Sequence, residues 1–181
     1  ILYAPDLFKL HNLGDWHKAL THFQKVGVSF YDFFQNVKNN PMNILHIGMK
    51  SKHIDIRYIK NYFPNSTIYA CDEDDTILFQ EERIVTFYLD QHKPRVIQRQ
   101  LCDKNIEFDI IIDYGLESFE TRWKTLKILF DKLTKTGTYV IRNIGDGVLD
   151  AINKDLFTKT KKVMEHESVQ DFEKFITVNN V

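Results

Sequence analysis

The sequence is poor in cysteine and has no long apolar run. Its only cysteines are Cys71 and Cys102, and neither has a second thiol or a paired histidine at ligand spacing. This argues against a disulfide framework and a structural zinc site, and it favours a reducing compartment such as the cytoplasm. No apolar stretch approaches the roughly 20 residues that a membrane helix needs, and the first residues lack the regions of a secretory signal. We therefore expect no membrane partner.

The sequence also lacks an excess of charge of one sign. Its 24 Lys and Arg residues are balanced by 25 Asp and Glu residues, and no basic cluster provides the surface that nucleic acid binding needs. With 43% hydrophobic and 27% charged residues, the composition is typical of a globular protein and disfavours disorder. A chain of 181 residues predicts one domain, and its start at Ile1 rather than Met predicts a fragment of a longer protein.

Short apolar runs alternate with helical stretches along the chain. This alternation predicts the α/β class, with a parallel sheet built from βαβ units. Most of the runs are apolar throughout, as buried central strands should be. The five predicted strands are residues 43–47, 67–71, 84–88, 108–112 and 138–144. Residues 72–82, after the second strand, are predicted to form a loop with a helical turn.

Helical periodicity is clearest over residues 118–135, where apolar side chains recur at spacings of three and four. Ser118 is placed to cap the start of this helix. Gly137 is placed to permit a left-handed turn beyond its end. Residues 54–63 and 94–102 are predicted to form shorter crossover helices.

Further elements are predicted on both sides of the central region. Residues 1–40 are rich in aromatics and predict a helical N-terminal cap, whereas residues 43–144 form the core. Residues 145–181 predict a helix from 148 to about 163 and then an edge strand over 172–181, as one of an antiparallel pair. No repeat or low-complexity tract divides the chain, so we treat it as a single domain.

The residues that follow the predicted strands are candidates for a ligand site, because ligands bind at the carboxyl ends of an open parallel sheet. Gly48 follows the first strand and could let a cofactor approach the backbone. Asp72 follows the second strand, 24 residues after Gly48, where a carboxylate can accept both hydroxyls of a nucleoside ribose. The alternative is a solvated acidic turn that Asp72 forms with residues 73–75.

Carboxylates also follow the third and fourth predicted strands. Asp90 can hydrogen-bond an adenine amino group or, alternatively, cap the helix predicted at Pro94. Asp113 would face the reaction centre or, alternatively, bond to local backbone N–H groups. Glu117 could deprotonate a hydroxyl if burial raised its pKa, or could serve only as a dipole partner of the helix start. His46, inside the first strand, is expected to be a hydrogen-bonded core residue.

The order of these motifs resembles the class I S-adenosylmethionine-dependent methyltransferases, in particular the macrocin and mycinamicin type of sugar O-methyltransferase. The resemblance covers residues 43–144. It implies a Rossmann-like sheet of strand order 3-2-1-4-5 with helices on both faces. It also implies that Gly48 lies under the methionine part of the cofactor, that Asp72 holds the ribose and that Asp90 faces the adenine. The motifs that carry it are Ile44-Leu45-His46-Ile47-Gly48, residues 62–72, Asp90-Gln91, residues 108–115 and residues 137–141.

The chain departs from that branch at several positions. The branch has Glu where this chain has His46, and a glycine pair where it has Lys52-His53. It reads Asp-Asp-Gly-Ser-His where this chain has residues 113–117, and Glu-Asp where this chain has Arg142-Asn143. Three magnesium carboxylates and a histidine base are thus replaced. Because an arginine at a ligand position repels a divalent cation, no metal is expected.

Two functions of different classes remain. The first is a metal-independent S-adenosylmethionine-dependent O-methyltransferase whose acceptor is a sugar or another hydroxylated small molecule. It would use Gly48, Asp72 and Asp90 to bind the cofactor, and Asp113 and Glu117 for catalysis. The second is a catalytically inactive methyltransferase-like domain that serves as a scaffold or as a module of a larger glycan-modifying protein. Neighbouring domains or a homo-oligomer are the macromolecular partners considered. The retained acids at the ribose and adenine positions favour the enzyme.

Overall fold

The structure, a computed structural model, describes residues 33–49, 54–102, 105–115, 118–142, 161–167 and 174–180. The strands of this part form a single eight-stranded sheet. They are β1 Asn43–Ile47, β2 Thr67–Asp72, β3 Gln80–Glu81, β4 Ile84–Tyr88, β5 Phe108–Asp113, β6 Leu133–Arg142, β7 Lys161–Glu167 and β8 Lys174–Asn180. Their order across the sheet is β3-β4-β2-β1-β5-β6-β8-β7.

The centre of the sheet is parallel and its two edges are antiparallel. Strand β1 lies between β2 and β5, and the pairs β2–β4 and β5–β6 continue the parallel sheet on either side. Strand β3 pairs antiparallel with β4 at one edge, and β8 pairs antiparallel with both β6 and β7 at the other. The order predicted for the five central strands, which is β4-β2-β1-β5-β6 in these labels, is therefore confirmed.

Helices cover both faces of the sheet, as predicted. They are α1 Ile54–Tyr62, α2 Pro94–Ile97, which continues into a π-helical turn over Gln98–Cys102, and α3 Phe119–Leu129. Successive side chains of a strand point to opposite faces, so Ile44 of β1 packs with Ile56 of α1, whereas Leu45 packs in the cluster that contains Leu126 of α3. The apolar runs therefore supply two cores, one on each side of the sheet.

The helix predicted over 118–135 begins as expected and ends early. The Oγ of Ser118 accepts a hydrogen bond from the N–H of Thr121 at 3.4 Å and caps α3. After α3 a 3₁₀ turn, Phe130–Lys132, leads directly into β6. Gly137 therefore lies within β6 and has no positive φ, so the left-handed turn predicted there is wrong. A Cβ at Gly137 would lie 3.0 Å from the carbonyl oxygen of Phe108, where the register between β5 and β6 shifts.

The loop predicted over 72–82 contains a short strand in addition to its helical turn. The turn is the 3₁₀ segment Asp75–Ile77, and β3 follows it as one side of a hairpin with β4. Arg83 adopts a φ of 62° in the hairpin turn, and its guanidinium donates to the carbonyl oxygens of Phe63 at 3.2 Å and Ser66 at 2.9 Å. These bonds tie the hairpin to the end of α1.

The C-terminal elements differ in part from the prediction. The strand predicted over 172–181 as one of an antiparallel pair is confirmed as β8, but β8 lies between β6 and β7, so the edge strand is β7. The helix predicted to reach about residue 163 is wrong at its end, where β7 begins at Lys161. The rest of that helix, residues 1–32 of the predicted cap and the last two residues of the predicted fifth strand lie outside the described residues. In the described ranges no helix has the length and apolarity needed to cross a membrane.

Candidate functional site

The predicted site residues that the structure describes lie at one edge of the sheet. Backbone hydrogen bonds extend the parallel ladder beyond the strand ends: the N–H of Gly48 donates to the carbonyl oxygen of Cys71, and that of Tyr114 to Ile47, both at 2.9 Å. This is the carboxyl edge, where open parallel sheets bind ligands. Glu117 lies outside the described residues. The predicted residues at this edge are Gly48, Asp72, Asp90 and Asp113.

Gly48 is required by its conformation and by its neighbours. Its φ is +86°, in the left-handed region that favours glycine. A Cβ there would lie 2.7 Å from the Cα of Gly115 and 2.8 Å from the carbonyl oxygen of Tyr114. The backbones that follow β1 and β5 are therefore in direct contact. The small size of Gly48 serves this contact within the chain, and its predicted contact with a cofactor stays a prediction.

The Asp72 carboxylate links the segments that follow β1 and β2. Its Oδ2 accepts from the N–H of Met49 at 2.5 Å, and its Oδ1 accepts from the N–H of Asp74 at 3.0 Å. A carboxylate offers about four acceptor lone pairs, so one lone pair on each oxygen remains for the two hydroxyls of a ribose. The bond to Asp74 belongs to the acidic turn, whereas the bond to Met49 places the carboxylate beside Gly48. This arrangement fits a nucleoside cofactor.

Asp90 lies at the same edge, after β4, and is bound to the turn that leads into α2. Its Oδ1 accepts from the N–H of His92 at 2.9 Å, and its Oδ2 pairs with the Lys93 ammonium at 2.8 Å. The hydrogen bond from Lys93 holds the pKa of Asp90 below its usual value. Both partners precede Pro94, so Asp90 organises the approach to α2. Its contact with an adenine ring stays a prediction.

Asp113 is fully buried and enclosed by donors. Its Oδ1 accepts from the N–H of Gly115 at 3.0 Å and its Oδ2 from the hydroxyl of Tyr139 at 3.0 Å. The Nε2 of Gln91 lies 3.3 and 3.2 Å from the two oxygens. Burial raises the pKa of Asp113 to about 6, against the opposing effects of the Gly115 hydrogen bond and the charge of Arg122. The bond to Gly115 is the local backbone contact considered as the alternative, and the catalytic role stays a prediction.

Two residues around Asp113, Tyr139 and Arg122, were not predicted from the sequence as site residues, and Gln91 was predicted only as part of the motif Asp90-Gln91. The Gln91 amide covers Gly115 so closely that a Cβ there would lie 1.8 Å from the Gln91 Oε1. A tyrosine inside an apolar strand was one available signal, because a buried hydroxyl needs a partner. The other signal was Arg122, a charged residue beside the apolar stripe of α3 and only 4% exposed.

A second group of side chains lies on the opposite face of the sheet. In the parallel register His46 pairs with Ile112, and Asp113 pairs with Ile141. His46 and Arg142 therefore lie on the α1 face, opposite Asp113. Arg142 is 5% exposed, and its guanidinium carbon lies 5.1 Å from the centroid of the Tyr114 ring, in cation–π contact.

His46 is neutral in this environment. Burial and, secondarily, the charge of Arg142 lower the pKa of His46 to about 3. Its Nδ1 is buried and has no hydrogen-bond partner among the described residues. The prediction of a buried histidine is therefore confirmed, but the partner expected for this nitrogen is not found in the part of the chain that the structure describes.

The described residues at this edge do not fit a magnesium ion. Mg²⁺ needs oxygen ligands with a net negative charge, whereas here Tyr114 and the cationic Arg142 are in contact with each other. The Nη1 of Arg122 donates to the carbonyl oxygen of Arg142 and brings a second cation nearby. Within the described ranges no three His, Cys, Asp or Glu side chains lie close enough to hold a metal ion.

Comparisons with known proteins identify relatives of the chain. No protein-family profile matches it. Over 152 residues the chain is 29% identical to demethylmacrocin O-methyltransferase of Streptomyces fradiae, and the match covers 77% of this chain and 36% of that protein.

Solved structures show the same fold. The MycE methyltransferase of the mycinamycin biosynthetic pathway, in complex with Mg and SAH, superposes with a TM-score of 0.69 at 21% identity, over 90% of this chain and 53% of that chain. Human methyltransferase-like protein 13, in complex with SAH, gives a TM-score of 0.62 at 13% identity, over 92% and 82% of the two chains. The chain thus spans 53% of the length of the MycE chain and 36% of the length of its macrocin relative.

These comparisons agree with the motifs and the topology. The mostly parallel sheet with helices on both faces is the Rossmann-like methyltransferase fold. The resemblance to the macrocin and mycinamicin type of S-adenosylmethionine-dependent methyltransferase is confirmed by the similarity in sequence to the macrocin relative, and the solved structures show the shared fold.

Proposed function

We propose that this chain, which shares the fold of class I methyltransferases and sequence with their macrocin branch, is an S-adenosylmethionine-dependent O-methyltransferase domain. Its acceptor is a sugar or another hydroxylated small molecule. The observation that carries the proposal is the pair Gly48 and Asp72, in which a left-handed glycine and a carboxylate are joined through the N–H of Met49. Sheets of this kind bind a nucleoside with a glycine that follows the first strand and a carboxylate that follows the second.

The proposed cofactor supplies an electrophilic methyl group on sulfur. The residues of this chain bind and orient it. Asp72 accepts the two ribose hydroxyls with the lone pairs that Met49 and Asp74 leave available. Asp90 faces the adenine from the end of β4. Asp113 acts as a positioning residue in this scheme, because its bond to the N–H of Gly115 fixes the backbone against which Gly48 packs.

We propose that the transfer proceeds without a metal. The relative MycE contains Mg in its structure, but here Arg142 and Tyr114 stack at the corresponding strand ends and supply no metal-binding carboxylate. Proton removal from the acceptor hydroxyl is assigned to Glu117, which follows β5 in sequence. Methyl transfer assayed with hydroxylated acceptors should therefore be equal in EDTA and in added magnesium. Activity that EDTA abolishes and magnesium restores would contradict metal independence.

Isothermal titration of the full chain with S-adenosylhomocysteine tests the cofactor site. Asp72→Asn keeps the shape and one carbonyl acceptor but removes the charge, and a charge-assisted hydrogen bond is worth about 1.5–3 kcal/mol. The variant should therefore bind roughly 10 to 100 times more weakly than the wild-type chain. Asp75→Asn, on an exposed residue of the adjacent 3₁₀ turn, is the matched control and should bind as the wild type does.

Two results would contradict the proposal. One is the absence of binding to the wild-type chain at millimolar ligand, which would support the inactive scaffold instead. The other is an equal loss of affinity in the Asp72 and Asp75 variants, which would show that acidity of this turn in general, rather than the Asp72 carboxylate, determines binding.

A further inference from the structure

The side chain of Gln91 ties the segment after β4 to the end of β5. Its Nε2 lies 3.3 and 3.2 Å from the two carboxylate oxygens of Asp113. Gln91 is 7% exposed and Asp113 is fully buried, so this contact is shielded from water. An ionised carboxylate can only accept a hydrogen bond, so the amide must present its nitrogen to Asp113. A hydrogen bond to a charged group is stronger than one between neutral groups.

The contact between Gln91 and Asp113 spans the carboxyl edge of the sheet. Strands β2 and β1 lie between β4 and β5. Because strands are about 4.8 Å apart, β4 and β5 are separated by roughly 14 Å. The segment after β4 must therefore cross the ends of β2 and β1 before Gln91 can reach Asp113. Those two strands end at Asp72 and before Gly48, where the proposed function places the cofactor.

Gln91 also fixes the space beside Gly115. A Cβ on Gly115 would lie 1.8 Å from the Oε1 of Gln91 and 3.0 Å from its Nε2, so the amide occupies the place of a side chain there. The N–H of Gly115 donates to the Oδ1 of Asp113 at 3.0 Å. The Cα of Gly115 in turn lies 2.7 Å from the position of a Cβ on Gly48. A displacement of the Gln91 amide would therefore let Gly115, and with it Gly48, move.

We propose that Gln91 is a positioning residue of the cofactor site. It acts through Asp113 and Gly115 on the backbone at Gly48 and does not touch the cofactor. In this role it joins the predicted adenine side of the site, at Asp90, to the predicted methionine side, at Gly48. This inference rests on the proposed methyltransferase function.

The first test divides the cofactor into its parts. S-adenosylhomocysteine and methylthioadenosine share the nucleoside, but only the first carries the amino-acid part that is expected over Gly48. Both are titrated calorimetrically into the full chain at about pH 8, where Asp113 is ionised, since burial raises its pKa to about 6. Gln91→Met keeps the length of the side chain and removes the donor. It should weaken S-adenosylhomocysteine roughly tenfold and methylthioadenosine less than about twofold. Gln98→Met, on an exposed residue of the π-helical turn, is the matched control and should weaken neither.

The second test exchanges the donor and the acceptor. Gln91→Glu places a second carboxylate against Asp113 and should weaken S-adenosylhomocysteine by at least about tenfold, because two like charges then face each other in a buried place. Adding Asp113→Asn to this variant restores a bond between an amide and a carboxylate, with the two groups exchanged. The oxygen of the new amide can still accept from the N–H of Gly115. The double variant should therefore bind within about threefold of the wild type.

Three results would overturn the role of Gln91. Equal weakening of both ligands by Gln91→Met would indicate a direct contact with the nucleoside. Unchanged binding of S-adenosylhomocysteine by that variant would show that the donor is not needed. A double variant that binds no better than Gln91→Glu would show that the hydrogen bond to Asp113 does not carry the effect, since a role in filling space predicts no such recovery.

The failures of the two proposals are distinguishable. If the wild-type chain binds neither ligand at millimolar concentration, both proposals fail. If the wild type binds both and the Gln91 variants bind as it does, only the role of Gln91 fails. Circular dichroism checks that each variant is folded. If Gln91→Met is unfolded, the double variant decides by its recovery or loss of affinity, and if neither folds, a role specific to the cofactor site is overturned.

Discussion

Replacing Gly48 with alanine should damage the sheet edge at which the candidate site lies. The φ of Gly48 is +86°, and a Cβ would lie 2.7 Å from the Cα of Gly115 and 2.8 Å from the carbonyl oxygen of Tyr114. These are backbone atoms, and the N–H of Tyr114 is bonded to Ile47 of β1 at 2.9 Å. They cannot rotate away as a side chain would, so the loop itself must shift.

Two costs contribute to the loss of stability. A left-handed conformation costs an L-residue with a Cβ about 1–2 kcal/mol. Forcing an extra methyl group into a closely packed place costs about 1–3 kcal/mol more. We expect Gly48→Ala to lower the free energy of unfolding by about 3 kcal/mol, which for a chain of this size corresponds to a decrease in Tm of roughly 6–12 °C.

Urea unfolding followed by tryptophan fluorescence measures this change, since Trp123 is buried in one of the two cores. Gly115→Ala is the matched control at the residue that Gly48 contacts. Gly115 has no positive φ, and the three atoms nearest to its Cβ would all belong to the amide end of Gln91, which can move. The control should cost about 1–2 kcal/mol, for the lost hydrogen bond from Gln91 to Asp113. A Gly48 variant as stable as the wild type, or more stable than the Gly115 variant, would refute the reasoning.

Three further substitutions test individual contacts. Asp113→Asn should remove one contribution to the pH dependence of stability. Burial raises the pKa of Asp113 in the folded chain from 3.8 to about 6, so this carboxyl group stabilises the fold fully below about pH 4, and about 3 kcal/mol of its contribution is lost as the pH rises through 6. Urea titrations across this range should show that loss in the wild type only, and an identical pH profile in the variant would contradict it. Glu81→Gln breaks the ion pairs with Lys60 and Arg57, both at 2.7 Å. It should lower the free energy of unfolding by at most about 1 kcal/mol, and by less in 1 M salt. A loss of stability that does not depend on salt would count against an electrostatic origin. Ser118→Ala removes the cap of α3 and should cost about 0.5–1 kcal/mol in the same urea assay, whereas no change would show that the 3.4 Å bond contributes nothing.

The central sheet could be predicted because its signals are local. Strands β1, β2, β4, β5 and the last part of β6, Tyr139 to Ile141, are mainly apolar runs, and the apolar stripe of α3 has the period of a helix. Each of these patterns is contained in a stretch of about 12 consecutive residues, so it can be recognised from the sequence alone. The strand order, in contrast, came from the resemblance to the methyltransferase branch, because no local pattern specifies which strands are neighbours.

The edge strands could not be predicted so well because pairing with a neighbouring strand, rather than an apolar pattern of their own, holds them extended. Strand β3 has only two residues, both polar, and is held by β4 and by the bond from the Gln80 side chain to the carbonyl oxygen of Thr86 at 2.8 Å. Strand β7 is mostly charged, and its sequence resembles the end of a helix. It is extended because each of its residues pairs with β8.

The site residues were found by their position after strands, but their contacts were not. The same rule that placed Asp72, Asp90 and Asp113 at one edge says nothing about which face each side chain occupies. That depends on the register of β5 against β1 and β6, which buries Asp113 beside Tyr139. The hydrogen bond from Arg122 of α3 to the carbonyl oxygen of Arg142 at the end of β6 is likewise a tertiary property.

The place of β1 in the sheet determines the order in which the protein can fold. Ile44 pairs with Ile68, 24 residues later in the chain, and with Ile110, 66 residues later. Since the entropy of loop closure grows with the logarithm of loop length, the second pairing costs about 0.9 kcal/mol more than the first. We therefore expect strands β1, β2 and β4 to assemble early, with the backbone N–H and C=O groups on one edge of β1 unpaired and open to other chains. We expect β5 to dock later and to close that edge, so that the contact between Gly48 and Gly115 forms after the pairing of β1 with β2.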